Sequence, residues 1–388
     1  MRLAQSMSRL GTETAFEVLA RARALEAQGR DVVHLEIGEP DFDTPANVVE
    51  AAVSALRSGQ THYTQAPGIP ELREVIAREI ARTRGISVSP DQVIVTPGAK
   101  PIMFFTILAL CQPGDEVIYP NPGFPIYESM INFVGARPVA APLRESRQFR
   151  LDVDEVAGLF SDRTRLVIVN SPHNPTGGVL EKSDLERLAE LAVRHDSVIL
   201  SDEIYSRMIY EGEHHSIASF PGLAERTIVL DGFSKTYAMT GWRLGYGVFP
   251  AELAPHISRL VTNSVSCTPG FTQRAGIEAL TGPQDEPARM VAEFRKRRDL
   301  LVAGLNRIPG LHCEMPAGAF YAFPNVQGVG LDCREFADRL LYDGGVATLS
   351  GTSFGKHGEG FVRLSYANSI PNLEKALDRI ETVVRKQR

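Results

Sequence analysis

The feature that most limits what this chain can fold into is a series of short segments that are apolar on both faces. They lie at residues 93–96, 116–119, 166–170, 198–201, 227–231 and 245–249, and several close on a small or polar residue. Helix-like patterns at 100–110, 126–134 and 182–194 separate most of them. A strand with no polar face cannot sit with one side in water, so the pattern predicts an α/β fold around a buried, mostly parallel sheet. Ligands of such sheets lie at the carboxyl ends of the strands. Outside this block the pattern changes. Residues 14–28 read as a helix and 32–37 as a strand, 285–306 as a long charged helix and 372–385 as a final amphipathic helix. A chain of 388 residues is long for one core. We therefore expect a large domain over 45–280, a smaller domain assembled from 1–44 and 281–388, and a cleft between them.

Bulk properties narrow the function classes. A net charge of −6 does not favour nucleic acid as a partner. No apolar run reaches membrane-spanning length, and residues 1–11 lack the apolar stretch of a secretory signal. Cys111, Cys267, Cys313 and Cys333 form no C-x-x-C pair, so no metal is expected. They read as buried thiols of a cytoplasmic protein.

Four strand ends carry candidate chemistry. Asp231-Gly-Phe-Ser-Lys235 puts a lysine just beyond a strand, with Arg243 eight residues on. Cationic neighbours and desolvation lower a lysine's pKa, as Schiff-base chemistry requires. A surface lysine is the plainer alternative. A second strand runs into Asp202, a buried-strand carboxylate that needs a partner, with Tyr205 three residues later. A pyridinium nitrogen is one such partner and a helix N-cap another. The loop Ser171-Pro-His-Asn174-Pro-Thr-Gly177 follows a third strand and fixes Asn174 between prolines. At a fourth, Thr96-Pro-Gly98-Ala99-Lys100 turns into a helix whose first N–H groups can cradle phosphate. Phe124 follows the 116–119 strand, where it can lie on a ring or fill the core. Arg363 lies inside an apolar strand and needs either a structural carboxylate or a bound one.

Taken together, Asn174, Asp202, Tyr205, Lys235, Arg243 and Arg363 resemble, in order and spacing, the fold-type I pyridoxal-phosphate aminotransferases of class I/II, and most nearly their bacterial aspartate-aminotransferase-like branch. The likeness spans almost the whole chain. It includes Gly38-Glu-Pro-Asp-Phe-Asp-Thr-Pro45, Tyr63 with Gly68-Ile-Pro-Glu-Leu-Arg73, Pro113-Gly-Asp-Glu-Val117 and Gly318-Ala-Phe-Tyr321. It implies a seven-stranded large-domain sheet and pyridoxal 5′-phosphate held by Lys235 as a Schiff base. By the same likeness Asp202 faces the pyridine nitrogen, Asn174 and Tyr205 the phenolic oxygen, and Phe124 the ring. Gly98, Ala99, Lys100 and Arg243 surround the phosphate, with Tyr63 contributed by the other subunit of a homodimer. Arg363, Gly38 and Asn174 take the substrate α-carboxylate. Lys100, Thr12 and Thr14 match positions that hold a distal carboxylate, which favours aspartate as donor and 2-oxoglutarate as acceptor. Two departures stand out. Phe124 replaces a Trp or Tyr, and Gly232 replaces a Ser of the phosphate cup.

Rival readings are weaker. Gly351-Thr-Ser353-Phe-Gly355 matches a hydrolase elbow, but no helix pattern follows it. No G-x-G-x-x-G opens a helix after a strand, which argues against a Rossmann dehydrogenase. A β-lyase on the same scaffold would differ in product, and an effector-binding regulator would need a DNA-binding domain for which residues 1–30 leave no room.

Overall fold

The computed structural model describes residues 1–387. In chain order, β1 (Val33–His34) precedes the main sheet. That sheet contains β2 (Val93–Thr96), β3 (Glu116–Asn121), β4 (Arg137–Pro142), β5 (Thr164–Asn170), β6 (Val198–Asp202), β7 (Thr227–Gly232) and β8 (Gly245–Val248). Their spatial order is β2-β8-β7-β6-β5-β3-β4. β8 runs antiparallel to both neighbours and every other pairing is parallel.

The two-sided apolar pattern has a direct cause. Alternate residues of one strand enter different cores. Leu166 and Ile168 of β5 pack with the helices Lys100–Leu110, Pro125–Val134 and Ala254–Ser264. Val167 and Val169 pack with Leu185, Leu188 and Ala192 of the helix Lys182–Arg194 on the other face. Each fully buried Leu or Ile contributes roughly 1.5–3 kcal/mol. The strand that sequence reading missed is β4. It lies at the sheet edge, carries Pro138 and Pro142, and is only partly buried. Proline is tolerated there because an edge strand leaves one side unpaired.

The termini meet beyond this sheet. β1 pairs in parallel with β10 (Val346–Ala347). β11 (Leu349–Ser350), β12 (Val362–Ser365) and β9 (Tyr321–Ala322) form an antiparallel sheet, with β12 in the middle. Their core includes Val33, Phe294, Leu301, Phe336, Leu340, Leu373 and Ile380. The strand expected over 32–37 shortens to two residues, although the Leu35 amide still donates to the Ala347 carbonyl at 3.0 Å. The expected helices occur as Ala15–Glu26, Asp285–Leu305 and Ile370–Gln387. All four cysteines are free. Cys267 corrects the expectation of buried thiols, for it is half-buried while the other three are buried. Among the described residues no helix is long and apolar enough to cross a membrane.

Candidate active site

The parallel strands end together at one cavity of about 490 Å³. β5 delivers Asn170 and, in the following loop, Asn174. β6 delivers Asp202 and then Tyr205. β7 is followed by Ser234 and Lys235. Across from them stand Gly38, Tyr321 from β9 and Arg363 from β12. Residues far apart in the chain thus converge because strand ends, not sequence neighbours, define the wall.

The Lys235 ammonium donates to the Gly38 carbonyl. Burial pulls its pKa down to about 8; Glu39 opposes the shift and the Arg363 charge adds to it. This lysine has a neutral, nucleophilic fraction near neutrality that a surface lysine lacks. At Gly38 an added Cβ would lie 2.2 Å from the Tyr321 hydroxyl oxygen, so no larger side chain fits that approach.

Asp202 is buried, and burial pushes its carboxyl up to about 6. The Tyr127 hydroxyl, 2.5 Å away, and the Ile204 amide, 3.3 Å away, both donate to it and oppose that shift. The N-cap reading does not hold, since a turn and not a helix follows Asp202, which accepts one amide of that turn. It makes no ion pair among the described residues, so a cationic group in the cavity would find it available.

Arg363 is 4% exposed. It donates to Asn174 Oδ1 at 3.1 Å and to the Glu36 carbonyl. Its Nε has no partner, and no carboxylate of the described residues pairs with it. Its guanidinium lies over the Tyr321 ring at 4.5 Å and the Phe354 ring at 4.9 Å. The structural ion pair weighed for this arginine is absent, which leaves a forked cation facing the cavity.

The turn before Lys100–Leu110 completes the other end. Gly98 has φ +83°, and a Cβ there would come within 2.2 Å of an Arg243 guanidinium nitrogen. Only glycine lets the turn pass that close. Arg243 donates to the Thr240 carbonyl at 2.8 Å and is otherwise open to solvent. Ala99, Lys100, Phe124 and Arg243 line the cavity, whereas Gly98 supports it from behind. Cationic Arg243 beside a helix N-terminus suits a phosphate.

Besides Gly98, three expected residues do not reach the wall in this chain. Tyr63 is 90% exposed and lies outside the cavity. Thr12 and Thr14 also lie off the lining. The residue between them, Glu13, lines it instead and forms an ion pair with Lys100. Sequence reading missed Glu13, Tyr127, Asn170 and the role of Tyr321. Tyr321 shares a 2.7 Å hydrogen bond with the Tyr205 hydroxyl. Asn170 accepts the Asn174 amide at 3.0 Å and donates to the Asp202 carbonyl at 3.1 Å, tying two strand ends together. Only the position of Asn170 at a strand end could have flagged it. The hydrolase-like segment forms the 3-10 turn Gly351–Phe354 and leads into another 3-10 turn rather than a helix, so it lacks the elbow.

The sequence and fold have close relatives. Residues 30–380 match the model of the family "Aminotransferase class I and II". An aspartate aminotransferase of Pyrococcus abyssi is 42% identical over 363 residues, 92% of this chain and 93% of its own. An arginine–pyruvate transaminase of Pseudomonas aeruginosa is 41% identical over 366 residues, 94% and 93% of the two chains. The structure of an aspartate aminotransferase from Thermus thermophilus with maleate superposes with a TM-score of 0.94 at 41% identity, covering 99% of this chain and all (100%) of that one. The chain belongs to the class I and II aminotransferases, with the fold-type I architecture. It is an aminotransferase of the aspartate-aminotransferase-like group, moving amino groups from amino acids to 2-oxo acids.

Proposed function

We propose that the chain performs this transfer with pyridoxal 5′-phosphate, in two half-reactions, on an L-amino acid and a 2-oxo acid such as 2-oxoglutarate. The observation that carries the reading is Arg363, a buried guanidinium without a carboxylate, opening onto the same cavity as Lys235 and Asp202. That arrangement suits an α-carboxylate, an amine and a protonated ring together.

The residues present fit the cofactor. Asp202 is a buried carboxylate without a cationic partner, and the Gly98–Arg243 approach forms an anion-binding corner. Bound there, the cofactor supplies a carbonyl that captures amines and a ring that absorbs electrons. In this reading Asp202 keeps the ring nitrogen protonated. Asn174 and Tyr205 face the phenolic oxygen, and Phe124 packs on the ring. Gly98, Ala99, the backbone N–H of Lys100 and Arg243 surround the phosphate, while the Lys100 side chain pairs with Glu13. Lys235 would hold the cofactor, and its freed amine would take the donor's Cα proton and return it two bonds away, to the cofactor's carbonyl carbon across the transferred nitrogen. Arg363, the Gly38 backbone and Asn174 orient the α-carboxylate so that this proton faces Lys235.

Three broader statements belong to the same proposal. The chain divides at 45–280 and 1–44 plus 281–388. It works as a homodimer in which Tyr63 of a second copy reaches the phosphate, which accounts for a tyrosine 90% exposed in the single chain. It acts in the cytoplasm, in keeping with four free thiols. A dicarboxylic donor such as aspartate, assisted by Thr12 and Thr14, fits only by displacing Glu13 from Lys100.

The test is an absorbance titration of the holoprotein. Loss of the cofactor's visible band on adding amino acid, and its return with 2-oxoglutarate or pyruvate, establishes both half-reactions. Ammonia and pyruvate as products would instead indicate a lyase.

A further inference from the structure

We propose that Glu13 is a specificity-determining residue: by holding Lys100 in an ion pair, it makes the distal end of the cavity select a neutral hydrogen-bonding side chain, a carboxamide above all, over a second carboxylate. This rests on the transamination reading above and adds a donor class to it.

Glu13 is held in place. Arg9 just before it donates to the Asn132 and Phe133 carbonyls at 2.8 and 3.1 Å, and the Gly11 amide donates to Ser129 Oγ at 2.9 Å. These contacts tie the segment to the helix Pro125–Val134, directly behind Phe124. The helix Ala15–Glu26 begins just beyond. The Glu13 side chain is 20% exposed and that of Lys100 is 48% exposed. The Lys100 ammonium also sits 5.4 Å from the centre of the Phe124 ring.

The charges lining the cavity decide what can enter. They are Lys100, Lys235, Arg243 and Arg363 against Glu13, Glu39 and Asp202. The α-carboxylate engages Arg363, the phosphate Arg243 and the ring nitrogen Asp202. Lys235 is committed to the chemistry. That leaves Lys100 with Glu13, and Glu39 hydrogen-bonded by Thr240. A second carboxylate must compete with Glu13 for one ammonium and then lie beside a displaced like charge. A cationic side chain meets Lys100 in turn. A carboxamide accepts from the ammonium through its oxygen and donates to the carboxylate through its NH2, leaving the pair intact.

The experiment measures the first half-reaction of the holoenzyme with asparagine, glutamine, aspartate, glutamate and alanine, as loss of the visible band. Wild type, Glu13→Gln, Glu13→Ala and Lys100→Ala/Glu13→Gln are compared. We expect wild type to favour the amides. In both single variants the amide-to-acid ratio should fall by roughly tenfold or more. The added Lys100→Ala should cancel the gain for acids. Calorimetry gives a readout independent of turnover: maleate should bind Glu13→Gln more tightly by a similar factor. A ratio and a maleate affinity that both variants leave within about twofold of wild type would overturn the proposal. Failure of every donor, alanine included, would instead overturn the transamination reading itself.

Discussion

Two buried arginines, Arg84 and Arg363, answer the cost of burying charge in opposite ways. Arg84 is 6% exposed and Arg363 4%. Arg84 donates to Glu203 at 2.8 Å, Asp231 at 2.6 Å and Ser206 at 2.8 Å. Although burial opposes it, those carboxylates hold its pKa above the ordinary arginine value. Glu203, opposed by its own burial, is pulled down to about 2 by His214 and Arg84. Arg363 has two neutral acceptors, an unpartnered Nε and a pKa lowered by burial. Both lie near the ends of β6 and β7 or facing them, so depth does not separate them. Completeness of pairing does. A closed network fixes the strand ends, whereas an open charge next to a cavity stores unspent attraction for a ligand.

The comparison breaks most sharply at Lys235, which belongs to the open set. Lys235→Ala should lower turnover by about a thousandfold or more while leaving the unfolding midpoint in place. Near wild-type turnover would remove the assignment. In the closed set, Arg84→Leu should cost about 3–5 kcal/mol in denaturant unfolding, because it strands two buried carboxylates. Its kcat/KM, measured where it stays folded, should remain within about threefold. A stable Arg84→Leu protein would show that the network is not structural. Arg363→Ala should do the reverse: a roughly hundredfold loss in kcat/KM for every α-amino acid donor, without loss of stability. A drop in stability comparable to that of Arg84→Leu would place Arg363 among the structural arginines. The smallest effect concerns pH. Lys235 is charged below about 8 and neutral above it. The rate at which apoprotein captures the cofactor should therefore climb roughly tenfold per pH unit below that value and level off above it. A stopped-flow profile that keeps climbing well past that value, as for an ordinary lysine, would mean that burial does not tune this amine.

The sheet was largely readable because its signal is local. Residues such as Leu166, Val167, Ile168 and Val169 are apolar in succession, and each side needs a core. The edge strand β4 escaped because prolines and half-exposure erase that signal. Lys235, Asp202 and Asn174 were legible for the same reason as the sheet, since each stands at or just beyond a strand end. The direct side-chain contacts that build the site were not. Glu13 meets Lys100 across 87 positions, Tyr205 meets Tyr321 across 116, and Asn174 meets Arg363 across 189. The sequence by itself determined which residues could do chemistry and where the strands end, because both follow from residue type and short-range periodicity. Only the tertiary structure decided which charges are satisfied and which stay open. Pairing depends on what packing brings within about 3 Å, a distance that no spacing along the chain encodes.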